Sequence, residues 1–184
     1  MMPNEIISYT SLPSNQGNNI SKINSSILFE GLFPHSDFYE VNMNNELLRI
    51  PYRIYFKEPD NELISQLNAE QVDLLNCFYT RHYNGYIRER KLKEIIMIDR
   101  PIVVPFVIQL AGEYVYEILE IIYDHLDHLN LNNYLNFIAE NPIYYQKTRA
   151  RMISYWNCNY RNEYKDLRSY KGLQIFKCFE SKLK

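Results

Sequence analysis

Apolar side chains recur at helical intervals along most of the chain after residue 60, which predicts a series of short helices. Asn68 has Gln71 three residues after it, the spacing of a capping box, so we expect a helix to begin there. Residues 103–111 are apolar nearly all round, which predicts a helix buried on most sides. The next helix carries a clean apolar stripe, formed by Val115, Ile118, Leu119, Ile122, Leu126 and Leu129. Further helices are predicted at about residues 62–67, 86–96, 131–139, 143–159 and 173–183.

The first sixty residues follow other patterns. Residues 1–26 are polar and rich in Ser and Asn, which predicts a loose tail. Residues 38–43 and 47–56 are rich in β-formers and flank Asn44–Asn45, which predicts a hairpin, with Pro51 making the second run an edge strand or an extended arm. Residues 27–33 are a short apolar patch that we expect to dock on the core. The predicted fold is mainly α, or α+β with a small N-terminal hairpin, as a single domain over residues 27–184.

One helical pair resembles a HEAT-type repeat. Such a repeat has a polar turn, a β-branched residue, an arginine and then an apolar stripe, here at Asn84, Ile87 and Arg88. The resemblance covers about residues 68–128 and implies stacked antiparallel helix pairs, in which the arginine bonds a turn acid of a neighbouring repeat. The chain departs from the pattern, since Asn84 replaces the usual Asp and Tyr116 stands where the next arginine belongs. The period is also roughly thirty residues, shorter than the usual ~40.

The charge is unevenly distributed along the chain. The net charge is only −2, but residues 101–146 contain six acidic and no lysine or arginine residues, while residues 147–184 contain ten basic and three acidic residues. A folded chain with such blocks is expected to present an acidic and a basic surface. Tyrosine is abundant, with 17 copies, and suits half-buried positions and contact surfaces.

Five carboxylates recur at intervals of four and three, which places them on one predicted helix face. They are Glu113, Glu117, Glu120, Asp124 and Asp127. Like charges at this spacing destabilise an isolated helix by a few tenths of a kcal/mol per pair, and no basic residue of this helix offsets them. The functional hypothesis is an acidic docking surface for a basic partner; the alternative is a solvated face. His125 and His128 nearby suggest a metal site with Asp124, but no further ligand cluster exists, so we expect no metal.

Two basic and aromatic segments are further candidates. Residues 81–93 interleave cations with Tyr83 and Tyr86, and residues 147–161 contain Arg149 and the single tryptophan. Arginine and tyrosine at a surface anchor protein interfaces, whereas the same types bind nucleic acid when basic residues dominate. Acidic residues interrupt the first segment, so the alternative is that its cations bond neighbouring turns of the fold.

The chain contains no motif of a known catalytic type. Walker loops, G-x-S-x-G, H-E-x-x-H and C-x-x-C are missing, so we expect neither an enzyme nor a cofactor. Three widely spaced cysteines fit reduced thiols. Residues 101–112, the longest uncharged apolar run, are too short to span a bilayer, and no secretory signal is recognised. These features favour a cytoplasmic protein.

The leading functional hypothesis is an immunity-type protein that neutralises a cognate bacterial toxin by direct contact. It rests on analogy with small, asymmetrically charged helical antidotes, and on a composition rich in asparagine and isoleucine, typical of bacteria. The alternatives are a HEAT-like scaffold or adaptor, and a nucleic-acid-binding protein using residues 81–93 and 147–171. The residues expected to bind the partner are Glu113, Glu117, Glu120, Asp124, Asp127, Tyr83, Tyr86, Tyr116 and Arg149.

Overall fold

The structure, a computed structural model, describes residues 12–26 and 37–183. It is mainly helical with one small two-stranded hairpin, which confirms the predicted fold class. The chain divides into two compact units, Met1–Lys91 and Leu92–Lys184. The single domain over residues 27–184 stays a prediction. The apolar patch predicted over residues 27–33 lies outside the described residues.

Residues 12–26 of the first unit contain two buried apolar side chains, Leu12 and Ile23. A 3₁₀ turn, Ser14–Gln16, leads into helix α1, Gly17–Ser26, over a range where the polar composition predicts a loose tail. Leu12 and Ile23 are buried, and α1 packs against helix α3 (Ala69–Tyr79). The few apolar side chains of this polar segment give too weak a periodicity to predict the helix.

The predicted hairpin is present. Strands β1 (Phe38–Met43) and β2 (Glu46–Pro51) pair antiparallel, with Val41 opposite Leu48. Asn44 and Asn45 both have positive φ values, 52° and 64°, the left-handed backbone that a tight two-residue hairpin turn requires. Strand β2 ends at Pro51, and the Tyr52 N–H still donates to the Asp37 carbonyl at 2.8 Å before residues 53–60 follow as an extended arm.

Helix α2 (Asn61–Ser65) precedes α3, and helix α4 (Gly85–Ile95) follows it. The side chain of Asn68 accepts from the Gln71 N–H and the Gln71 side chain accepts from the Asn68 N–H, so the predicted capping box is formed. The extended arm docks on the turn between α3 and α4 through a parallel bridge between Ile54 and His82. Ile54 and Phe56 are buried, which fixes the arm to the core of this unit.

The regular elements of the second unit are all helices over its described residues. Helix α5 (Val104–Ala111) is buried along its whole length, as its apolar sequence predicts. The remaining helices are α6 (Tyr116–His125), α7 (Leu131–Glu140), α8 (Pro142–Tyr155) and α9 (Lys171–Lys182). Helix α9 packs against α5, α6, α7 and α8 and so lies among the other helices of this unit. A π-helix, Trp156–Tyr160, extends α8 over the range where the sequence predicts its last α-helical turn.

Candidate protein-binding surface

Three tyrosines of the first unit are exposed to an unusual degree. Tyr55, Tyr83 and Tyr86 expose 46%, 56% and 84% of their surfaces, and we call them the tyrosine surface. The rings of Tyr55 and Tyr83 stack, with centroids 5.5 Å apart and planes 17° apart. Tyr86 lies one residue into α4, where its N–H donates to the Asn84 side chain. The sequence singles out Tyr83 and Tyr86; it gives no signal for Tyr55, which belongs to the extended arm.

The two stacked rings are joined through their backbones. The Tyr83 N–H donates to the Ile54 carbonyl at 3.0 Å, and the Ile54 N–H donates to the Arg81 carbonyl at 2.9 Å. Arg88 donates from Nη1 to the carbonyl oxygens of both His82 and Tyr83. Arg88 is fully buried, so these bonds are shielded from water and hold the turn in one conformation.

His82 lies in the same frame and uses both ring nitrogens. Nδ1 accepts the Asn84 N–H at 3.1 Å, so the ring proton is on Nε2, which donates to the Phe56 carbonyl at 2.9 Å. The ring is buried and lies 4.5 Å, centroid to centroid, from that of Tyr83. Burial is the main reason that the pKa of His82 is lowered, and the Arg88 charge acts in the same direction. The neutral imidazole is therefore the form that fits this site.

Most of the basic residues around the turn between α3 and α4 are buried or bonded to other groups of the same unit. Arg81 and Arg88 are fully buried, and Arg81 donates to the Tyr52 carbonyl. Glu58 pairs with Arg90 and with Lys91, whose Nζ also donates to Asn76. Guanidinium groups buried in this way are not available to phosphate, which removes the chief support for nucleic-acid binding by residues 81–93.

The acidic stripe of the second unit differs from the predicted one. Glu113 precedes α6 and is buried, because Gly112 ends α5 and Val115 is still extended. Glu120 accepts from Lys171 of α9 at 2.9 Å, and this bond is the main reason that the pKa of Lys171 is raised. The acidic stripe thus has fewer than five exposed carboxylates. Lys171, on a helix far away in sequence, partly neutralises it. Its exposed members are Glu117, Asp124 and Asp127.

Tyr116, another predicted binding residue, belongs to a cluster of rings. The rings of Tyr160, Tyr164 and Tyr170 surround it, with centroids 5.2 to 5.8 Å away. Desolvation raises the pKa of Tyr116 above its ordinary range. The hydroxyl of Tyr160 donates to the Tyr114 carbonyl at 2.6 Å, which ties the π-helix to the start of α6. The cluster therefore packs the second unit, and Tyr116 offers only part of its ring to a partner.

The last predicted binding residue is Arg149, on α8. Its Nε lies 2.9 Å from Glu180 Oε1 of α9, with both side chains partly exposed. Trp156 donates from its ring to the Tyr164 carbonyl and is half-buried, so it also anchors the loop after the π-helix. Within the segment 147–161 only Thr148 and Met152 are buried, and Arg149 is one of its partly exposed residues.

Within the described residues, His125 and His128 do not belong to a cluster of metal-binding side chains. His125 Nδ1 donates to the Ile121 carbonyl at 2.7 Å, one turn back on the same helix. No group of three or more His, Cys, Asp or Glu side chains within the described ranges is arranged to hold a metal ion. The tyrosine surface therefore carries the functional argument.

No protein-family model, curated protein or solved structure is significantly similar to this chain. Within the described part of the chain, no helix is long and apolar enough to cross a membrane. The HEAT resemblance stays a prediction. The proposed function accordingly rests on the geometry of the exposed surface.

Proposed function

We propose that this chain is a protein-binding module and that the tyrosine surface is its docking site. The observation that carries the proposal is the exposed Tyr55–Tyr83 stack, followed three residues later by the exposed Tyr86, on a turn whose backbone is bonded by the buried Arg88. Tyrosine combines a large apolar ring with a polar tip and few rotatable bonds, so it anchors interfaces at a small entropic cost. A rigid frame lowers that cost further, because little has to be ordered on binding.

The specific form we propose is a cytoplasmic immunity protein that binds a cognate bacterial toxin and covers its active site. The partner would present arginine, lysine and apolar side chains, since tyrosine faces attract cations and their edges pack against apolar groups. The exposed carboxylates Glu117 and Asp127 of the second unit would add attraction for a basic toxin and raise its association rate.

The test is binding to the toxin encoded by the neighbouring gene. The affinities of the wild type and of the Tyr83→Ala and Tyr86→Ala variants are measured by calorimetry. We expect each variant to bind at least about tenfold more weakly, the loss of a moderate hot spot. Leu47→Ala is the matched control, because Leu47 is equally exposed in the same unit but belongs to the hairpin.

Circular dichroism melts verify that the variants are folded. Wild-type affinity in a folded Tyr83→Ala, Tyr86→Ala double variant contradicts the docking site. A cell assay addresses the biological role: cells expressing the toxin survive when the wild type is co-expressed and die with the double variant. Binding through the tyrosine surface without protection of the cells would favour the HEAT-like adaptor instead.

A further inference from the structure

The turn between α3 and α4 leads into the only Asn-Gly sequence of the chain, Asn84–Gly85. Both residues are partly exposed, and Gly85 is the first residue of α4. The main-chain nitrogen that follows an asparagine can attack the side-chain amide of that asparagine. Glycine hinders this attack least, because it has no Cβ. Asn84 is therefore the asparagine of this chain that is chemically most prone to react with its own backbone.

One hydrogen bond restricts the groups that would react. The Tyr86 N–H donates to Oδ1 of Asn84 at 3.0 Å, so the asparagine side chain is folded back along its own main chain. The ring of atoms that this bond closes contains Cγ, Cβ, Cα and C of Asn84 and N of Gly85. The same five atoms form a succinimide ring when the nitrogen bonds to Cγ. Restricting them before the reaction lowers the entropic part of its barrier.

The same hydrogen bond assists the attack electrostatically. When N of Gly85 bonds to Cγ of Asn84, negative charge develops on Oδ1, the atom to which the Tyr86 N–H already donates. A hydrogen bond to a charged oxygen is about twice as strong as one to a neutral amide, so the N–H stabilises the tetrahedral intermediate more than the starting asparagine. The first turn of α4 also favours negative charge through the helix dipole.

We propose that Asn84 is a site of spontaneous covalent modification, which converts it through a succinimide into aspartate or isoaspartate and thereby alters the tyrosine surface. The bond between N of Gly85 and Cγ forms and the Cγ–Nδ2 bond breaks. Nδ2 leaves as ammonia, together with the proton of the Gly85 nitrogen. Water then adds its hydroxyl to one of the two imide carbonyls and its proton to the nitrogen. Cleavage at Cγ gives aspartate, and cleavage at the main-chain carbonyl gives isoaspartate.

The two products differ in their effect on the turn. Aspartate leaves the main chain unchanged, and its carboxylate can accept the Tyr86 N–H as the amide does. Isoaspartate inserts a methylene into the main chain between Tyr83 and Tyr86. The Asn84 carbonyl, which accepts the Arg88 N–H at 3.2 Å, then belongs to a side-chain carboxylate. Isoaspartate should therefore displace Tyr86 relative to Tyr83. That this displacement weakens partner binding rests on the proposed function; the modification itself does not.

Peptide mapping of the aged protein tests the modification. The folded protein is kept in a warm, mildly alkaline buffer, since the attacking nitrogen must lose its proton, and is then cleaved with trypsin. Residues 82–88 form one tryptic peptide, in which Asn84 is the only asparagine. Mass spectrometry should detect the loss of ammonia and then the gain of a carboxyl group in this peptide, increasing with time.

Two references make this result decisive. A synthetic peptide of residues 82–88 in the same buffer shows when an unrestricted Asn-Gly sequence has reacted. The tryptic peptide 152–161 contains the exposed Asn157 and Asn159, which precede larger residues and should stay unmodified. An intact Asn84 in the folded protein after the synthetic peptide has converted overturns the proposal, and so does equal modification of the peptide 152–161.

Two substitutions test the assigned chemistry. Gly85→Ala places a methyl group beside the attacking nitrogen and should slow the modification at least about tenfold, which corresponds to about 1.4 kcal/mol in the barrier. If Gly85→Ala does not fold, Asn84→Gln replaces it: the longer side chain would have to close a larger ring, and the modification should be lost. Modification at the wild-type rate in the folded variant overturns the proposal.

A second pair of variants tests the role of the Tyr86 N–H. Tyr86→Pro removes this donor, and proline is tolerated in the first turn of a helix. Tyr86→Ala removes the same ring and retains the N–H. We expect slower modification in Tyr86→Pro than in Tyr86→Ala, with circular dichroism confirming that both are folded. Equal rates would overturn the assistance that we assign to this hydrogen bond.

Binding of aged protein to the toxin encoded by the neighbouring gene separates this inference from the proposed function. Aged wild type should bind more weakly than fresh wild type, whereas aged Gly85→Ala and fresh Asn84→Asp should retain their affinity. Modification of Asn84 without any effect of Tyr83→Ala on binding would refute the docking site and leave the modification intact. Weak binding by Tyr83→Ala, with an intact Asn84 in aged wild type, would refute the modification and leave the docking site intact.

Discussion

Nη1 of Arg88 lies 3.0 Å from the carbonyl oxygen of His82 and 2.9 Å from that of Tyr83. One buried cation thereby closes the turn between α3 and α4 from inside, using backbone oxygens that the turn leaves without helical partners. The HEAT resemblance implies an arginine that reaches a turn acid of a neighbouring repeat. Here these two bonds lie within a single turn, and their effect is to position an exposed tyrosine.

Replacing Arg88 by methionine should destabilise the protein by about 2–4 kcal/mol, because two buried carbonyls lose a charged donor. The measurement is urea unfolding followed by circular dichroism. Arg90→Met is the control: Arg90 is exposed and pairs with Glu58 at the surface, so its loss should cost less than about 1 kcal/mol. Equal stability of the two variants would mean that the buried bonds of Arg88 contribute nothing beyond a surface pair.

Tyr160 and Tyr170 provide a matched pair of hydroxyl deletions. Tyr160→Phe should cost about 1 kcal/mol, because the bond to the Tyr114 carbonyl is lost. Tyr170→Phe should be neutral or stabilising, since its buried hydroxyl has no hydrogen-bond partner within the described part of the chain. Thermal denaturation of both variants decides the matter, and the reverse order of stabilities would contradict the expected role of the Tyr160 bond.

Gly112 and Gly17 differ in how closely other parts of the chain approach them. A Cβ at Gly112 would lie 2.6 Å from Thr148 Cγ2 and 2.9 Å from the Thr148 carbonyl oxygen, so Gly112→Ala should cost about 1–3 kcal/mol. Gly17 has nothing within 4 Å of the same position, and Gly17→Ala should be neutral or slightly stabilising through helix propensity. Unfolding free energies of the two alanine variants are compared; a Gly112→Ala protein as stable as Gly17→Ala would show that α8 can shift away freely.

Glu117 and Glu120 should respond differently to neutralisation. Glu117 is exposed, so Glu117→Gln should leave stability unchanged but slow association with a basic partner at low salt. Glu120→Gln removes the negative charge that pairs with Lys171 and should destabilise by less than about 1 kcal/mol, because the pair is partly exposed. Stopped-flow binding at two salt concentrations and urea unfolding test the two effects. An association rate unaffected by Glu117→Gln removes the acidic stripe from the interface.

The Lys171 pair also has a defined pH dependence. The pKa of Lys171 is raised in the folded state, so the stability that the Lys171–Glu120 pair contributes is present below the ordinary lysine pKa. That stability is lost as the pH rises through the pKa that Lys171 has in the folded protein.

Features set by neighbours in sequence were predictable. The capping box at Asn68 needs only Gln71, three residues away, and the hairpin turn needs only Asn44 and Asn45. Both follow from local hydrogen bonding and backbone preference, and both are found. The all-apolar stretch at α5 likewise predicts its own burial, because no polar face is available to meet water.

Features that depend on distant partners were not predictable. The sequence shows Glu120 without a basic neighbour, yet Lys171 approaches it from 51 residues away. Tyr55 becomes part of the candidate site only because the arm docks on a turn nearly thirty residues later. The burial of Arg81 and Arg88 is equally invisible in sequence, where arginine is a residue of surfaces.

The left-handed pair Asn44–Asn45 makes the hairpin turn selective for residues that adopt positive φ and intolerant of a change in length. Strand side chains alternate between two faces, and Tyr39, Val41 and Met43 all lie on the buried one. Deleting one turn residue would shift the pairing register by one position. Those three side chains would then face solvent, and Glu40 and Asn42 would face the core. Glycine at either turn position would be accepted, since it adopts positive φ without strain. Functional variants of this chain should therefore have Asn, Asp or Gly at the two turn positions and no single-residue deletions there.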